Sequence, residues 1–259
     1  MSGSAGVMAL VLGETVGGAS ALLWLTPLWN EVKRGYFKLS GLVLGTLSLA
    51  WWWSARAGEI AGVDAGAWTV RMALSTAALT FAWTALLYAR RHAAARVVGF
   101  LGVTVAVVGL VAMAQVSRQA PVLAVFQLFA GAAFLGSVLD GLLLGHWYLT
   151  DRGLPRRPID RSTLFLIAAV GAEAIAVLTA GFGGVASSSE INPLLTAGAL
   201  APWIALGMVG TTALIAVLVK LVLRGARASA VQSATGFFYL AVVTAFTAEV
   251  AVKVRFLPR

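Results

Sequence analysis

Residues 10–35 read LVLGETVGGASALLWLTPLWNEVKRG, and residues 128–153 read LFAGAAFLGSVLDGLLLGHWYLTDRG. At a shift of 118 the two stretches match at Leu10/Leu128, Gly13/Gly131, Gly18/Gly136, Leu25/Leu143, Trp29/Trp147, Arg34/Arg152 and Gly35/Gly153. Seven identities over 26 gapless positions, with a Trp pair and an Arg-Gly pair among them, point to an internal duplication. Each copy is an apolar run that ends in an aromatic residue and a basic turn. That pattern fits a helix that crosses hydrocarbon and stops at a headgroup surface.

Working outward, apolar stretches of the length a bilayer requires recur at 5–28, 39–55, 67–88, 97–116, 121–147, 163–182, 197–222 and 232–252. The expected fold is all-α: a polytopic membrane protein of eight transmembrane helices, built as two parallel four-helix repeats, 1–118 and 119–259. Four helices per half is an even number, so the halves share an orientation about a pseudo-twofold axis along the membrane normal. Gly99-Phe100 and Gly236-Phe237, each opening a span after a basic loop, echo the repeat. The first stretch follows Met-Ser-Gly-Ser-Ala-Gly, with no basic n-region, so it is expected to be retained as a helix.

Composition agrees. Hydrophobic residues make up 60% of the chain and charged ones 11%, too few for a solvated surface. The net charge of +9 lies in short loops and not along one helical face, which argues for topology signals and against nucleic acid. Lys33, Arg34, Lys38, Arg90, Arg91, Arg96, Arg152, Arg156, Arg157, Arg161, Lys220, Arg224 and Arg227 fall on one side, 13 of the 19 basic residues. That side is expected to be cytoplasmic, with both termini outside a bacterial inner membrane. Trp29, Tyr36, Phe37, Trp51, Trp52, Trp53, Trp68, Trp147 and Tyr148 are read as interfacial anchors. Gly13-xxx-Gly17, Gly41-xxx-Gly45 and Gly141-xxx-Gly145 are read as close-packing surfaces between helices.

The absence of cysteine removes disulfide and thiolate chemistry, and two histidines, His92 and His146, cannot furnish the axial pairs of a b-type haem core. No metal-ligand spacing, phosphate loop or nucleophile elbow occurs; Gly181-Phe-Gly-Gly184 reads as an outer-loop turn. What needs explaining is charge at bilayer depth, which costs roughly 2.5–3.5 kcal/mol per group on insertion scales. Glu14 and Glu173 fall near the midplane, Asp140 toward the cytoplasmic end, and Glu249 near the outer interface, where Lys253 at i+4 offers a structural partner. At the shift of 118, Glu14 meets Ala132 and Asp140 meets Leu22, so one asymmetric site between the halves, among Glu14, Asp140 and Glu173, is expected. No Lys or Arg is expected at matching depth, so Glu14 and Glu173 are expected to be neutral acids. Such acids suit a proton relay or quinol deprotonation; the alternative is packing glue, hydrogen-bonded to Ser, Thr or backbone. His146 could bond a quinone carbonyl or sit in the aromatic belt. His92 reads as a solvated loop residue.

The segment Glu14-Thr-Val-Gly-Gly-Ala-Ser-Ala-Leu-Leu resembles the start of helix one in the membrane anchors of dimethyl sulfoxide reductase and the NrfD-like polysulfide reductase class. Glu249-Val-Ala-Val-Lys-Val-Arg255-Phe256 is similar to the Glu-Arg-Phe pattern that closes their last helix. The likeness covers the two ends of the chain only; the Gly145-His-Trp-Tyr-Leu segment and the basic loop after it have no counterpart. It implies an anchor for redox subunits that exchanges electrons with a quinol, menaquinol or ubiquinol, with no haem of its own, and it places Glu14 and Glu249 at the matching polar positions. The expected function is therefore an integral subunit of a respiratory complex, not catalytic alone, surrounded by lipid and partner subunits, with no intrinsic cofactor. A proton-coupled secondary transporter and a scaffold without a ligand are the alternatives.

Overall fold

The computed structural model describes residues 2–59, 64–117, 119–151, 153–180, 200–225 and 229–257. Among them the secondary structure is helical throughout: α1 Gly3–Leu25, a single turn α2 Leu28–Glu31, α3 Arg34–Ala57, α4 Asp64–Tyr88, α5 His92–Ala114, α6 Pro121–Thr150, α7 Arg157–Ala180, α8 Leu200–Leu223 and α9 Ser229–Phe256. Seven of these, all but α2 and α3, are long and apolar enough to cross a membrane. The 24-residue α3 is as long, but Arg34, Lys38, three serines and Arg56 dilute its apolar content. The turn at 181–184 lies outside the described residues.

Local chemistry explains why these runs are helical. Pro27 ends α1, and Pro121 opens α6 in the first turn, where its missing N–H costs nothing. Within the spans, hydroxyls bond back to the carbonyl one turn earlier: Thr76, Thr80 and Thr84 donate in succession along α4, each at 2.8 Å. An otherwise orphaned donor is thereby satisfied without water.

α1, α3, α4 and α5 close a ring, as do α6, α7, α8 and α9. The rings meet along α1 and α6; α1 also touches α9, and α6 touches α5. α1 is accordingly the most interior span, 78% buried over its apolar window, whereas α8 is 33% buried and shows its apolar side chains outward. The glycines make this possible. A Cβ on Gly18 would lie 1.7 Å from the Ala132 carbonyl oxygen, and one on Gly136 would lie 2.4 Å from the Gly18 carbonyl carbon. Gly13 and Gly17 face Met113 and Leu110 of α5, Gly41 and Gly45 face Thr84 and Phe81 of α4, and Gly141 and Gly145 face Phe238 and Thr235 of α9. The small-residue motifs are thus contact surfaces between helices.

Glu14 and Gly18 of α1 meet Gly131 and Gly136 of α6, and Gly131, Gly141 and Gly145 of α6 meet Glu249, Phe238 and Thr235 of α9, so α1 and α9 run antiparallel and Ser2 and Phe256 share one end of the bundle. The other end holds the basic turns. There Arg161 makes a two-pronged bond to Glu31 at 3.0 and 3.1 Å, and Lys33 meets Asp151 at 3.0 Å. These pairs tie the α2 region to the α6–α7 turn.

The aromatic residues depart from the belt expected of them. Trp68 and Trp53 are exposed, at 52% and 71%, but Trp51, Tyr36 and Phe37 are fully buried and Trp29 and Tyr148 nearly so. Trp51 is withdrawn because Gly13 and Gly109 leave room for its indole between α1 and α5. Three consecutive Trp on a helix point in three directions, so they cannot all face one interface.

Candidate functional site

Three glutamates and one lysine converge in the half of the bundle nearer the termini. Glu249 and Lys253 lie one turn apart on α9 and share a face. Glu14 comes from α1 and Glu173 from α7. Lys253 Nζ lies 2.7 Å from Glu14 Oε1 and 3.0 Å from Glu249 Oε2. All four residues are completely buried, at 0% exposure. Lys253 is central: its ammonium holds one carboxyl from α1 and one from α9, and Glu173 is close enough to feel the charge of Glu249, Lys253 and Glu14.

α6 contributes by what it lacks. A Cβ at Gly131 would lie 2.5 Å from Glu14 Oε1 and 3.0 Å from Glu249 Oε1, so glycine alone leaves room for both acids. One turn before it, Gln127 is 1% exposed, and neither end of its amide has a hydrogen-bond partner among the described residues. Gly13, which matches Gly131 at the shift of 118, faces Trp51 and Met113 instead.

Lys253 corrects the expectation that no cation matches the acids in depth. The expected span ended at 252, but α9 continues to Phe256, which carries the lysine into the interior. Its signal was its spacing from Glu249: a residue four positions on shares the carboxylate's buried face.

The structure brings Glu14, Glu173 and Glu249 together and leaves Asp140 elsewhere. Nine residues beyond Gly131 on α6, Asp140 is roughly 13 Å away along the helix, toward the basic end. There it accepts from Tyr36 Oη of α3 at 2.8 Å and from Ser162 Oγ of α7 at 2.6 Å. Both carboxylate oxygens are occupied, and the three groups fasten three helices. His146 is exposed on α6 near that end and is not part of either cluster; His92 is exposed at the start of α5. Among the described residues no group of three or more His, Cys, Asp or Glu side chains is disposed to hold a metal ion.

In chemical terms, the glutamate cluster holds three acids against one base in a fully buried place. If every group were ionised it would carry two net negative charges, a state that a low-dielectric interior penalises heavily. It can exchange protons more readily than it can bear charge. The chain matches no known protein family, no curated protein and no solved structure.

Proposed function

We propose that this membrane protein is the integral subunit of a respiratory or redox complex, in which Glu14, Glu249, Glu173 and Lys253 pass protons to or from a quinone. One observation carries the reading: three completely buried carboxyls gather about one buried ammonium, which lies 2.7 and 3.0 Å from two of them. Electrical neutrality of three carboxyls around one ammonium requires two protons. A cluster that stores protons in this way can release one as another arrives, which is what a relay needs. The unpartnered amide of Gln127, one turn along α6, is a fitting donor and acceptor for a quinone carbonyl or hydroxyl.

In this reading α3 is an eighth span, since it packs lengthwise between α1 and α4, and the termini face the outside of a bacterial inner membrane. The halves 1–118 and 119–259 are copies. Support comes from residues 118 apart that touch: Gly18 abuts Gly136, and Lys33 bonds Asp151. Such contacts between equivalent positions arise close to a twofold axis.

The test is purification in mild detergent, followed by quinone extraction and a quinol-driven reduction assay. Expected are copurifying redox subunits, bound menaquinone or ubiquinone, and activity that Glu249→Gln slows at least tenfold while leaving the complex assembled. An isolated chain that drives proton-coupled solute uptake in liposomes would establish the carrier alternative, which the same cluster serves between two halves. Intact cellular activity in Glu14→Gln and Glu173→Gln would leave the scaffold reading.

A further inference from the structure

At the basic end, the last turn of α1 and the first two turns of α5 leave a groove of about 660 Å³. Its walls are Trp24, Trp29, Phe100 and Leu101, and His92 and Arg96 stand at its polar end. Phe100 and Leu101 are 62% and 50% exposed, so the groove opens sideways, where a lipid-facing surface would be. The Trp24 and Trp29 rings stack at 5.1 Å, and the Arg34 guanidinium sits 4.0 Å from the Trp29 ring centre. Arg34 also donates to the Trp29 carbonyl, which fixes it against the Trp29 wall of the groove. Among the described residues neither Arg34 nor Arg96 has a carboxylate partner.

We propose that this groove binds one anionic phospholipid, its phosphodiester held by Arg96 with Arg34 as a further positive charge beside Trp29, and an acyl chain laid against Phe100 and Leu101. The inference rests on the membrane reading of the helices and is independent of the glutamate cluster. Arg96 at the polar end of an apolar groove, without a carboxylate and with a second guanidinium stacked on the groove's Trp29, suits an anion, and a phosphate accepts the paired donors of a guanidinium. The volume falls within the roughly 300–1,000 Å³ of small-molecule sites. The apolar walls distinguish the occupant from free phosphate, which would leave Trp24, Phe100 and Leu101 uncovered. The position suits the headgroup level of a leaflet rich in anionic lipid.

Native mass spectrometry of the detergent-purified, delipidated chain tests this, with palmitoyl-oleoyl phosphatidylglycerol and phosphatidylcholine added at equal concentration. One phosphatidylglycerol should remain bound at collision energies that strip phosphatidylcholine. Arg96→Gln should weaken its retention about tenfold, the loss of one charge-assisted hydrogen bond. Arg71→Gln, which removes an exposed arginine stacked on Trp68, should leave retention unchanged. Equal retention of the two lipids, an unaltered adduct in Arg96→Gln, or displacement of the lipid by millimolar inorganic phosphate would each overturn the assignment. Because Arg96 is exposed, its replacement leaves folding intact, and a monodisperse elution profile checks this.

Discussion

Lys253 is the one cation among the buried acids, and its removal should harm the protein more than removal of any single glutamate. Lys253→Met leaves three carboxyls without a counter-charge, a change that in buried pairs costs about 3–5 kcal/mol. Thermal unfolding in detergent should show a large drop, and Glu14→Gln with Lys253→Met should lose less than the sum of the single changes, since each removes the other's uncompensated charge. Additive losses would mean that the 2.7 Å contact contributes no coupling. Gly131→Ala should be destabilising by about 1–3 kcal/mol, because its methyl group displaces the Glu14 and Glu249 carboxyls from the lysine. The acids were legible in the sequence because a carboxylate in an apolar run has no ordinary reason to be there. The pairing of Lys253 with Glu249 was legible too, from its i+4 spacing, but its burial and its bond to Glu14 were not, because a lysine at the end of a span ordinarily snorkels to the headgroups. Only the packing of α9 against α1 shows that its ammonium turns inward to Glu14.

Among the elements, α1 and α6 depend on a contact with no slack. Gly18→Ala would place a methyl group on the Ala132 carbonyl oxygen, a backbone atom that no rotamer change can move. Gly171→Ala on α7 meets nothing within 4 Å and removes a helix-weakening residue. The first variant should fail to yield a monodisperse bundle; the second should melt at or slightly above the parent temperature, and equal behaviour of the two would refute the α1–α6 packing. Asp140→Ala should loosen α3 and α7 from α6 by about 2–3 kcal/mol through loss of the Tyr36 and Ser162 bonds; on the proposed function, quinol-driven turnover of the complex that remains folded should be unchanged. A selective loss of turnover would instead place Asp140 in the proton path. The helices themselves were largely legible, since 67–88 became Asp64–Tyr88 and 121–147 became Pro121–Thr150. Their facing was not. Whether Trp51 meets lipid or protein depends on Gly13 and Gly109, which lie on other helices and far away in the chain.

For the molecule as a whole, the number of crossings decides whether the two-repeat reading stands, and α3 is the helix in question. A natural absence of cysteine makes single-cysteine labelling free of background. Ser2 and Ser117 lie at the end of the bundle that holds the termini, and Ala93 and Ser229 at the basic end. If α3 crosses, eight spans put Ser2→Cys and Ser117→Cys on one side of the membrane and Ala93→Cys and Ser229→Cys on the other. If α3 does not cross, every position after it changes side: Ala93 and Ser229 join Ser2, and Ser117 stands alone. An impermeant maleimide applied to intact cells should label Ser2→Cys and Ser117→Cys, and should reach Ala93→Cys and Ser229→Cys only after permeabilisation. The direction follows from the charge of the turns. Lys33, Arg34, Arg90, Arg91, Arg156 and Arg157 all lie at the end with Ala93, and short basic loops resist translocation. Labelling of Ala93→Cys together with Ser2→Cys would reduce the count to seven and break the equivalence of the halves. Labelling of Ala93→Cys and Ser229→Cys alone would keep eight spans and reverse them. The glutamate cluster lies in the half nearer the termini, so on the proposed relay the expected pattern makes the outer face the nearer source and sink of its protons.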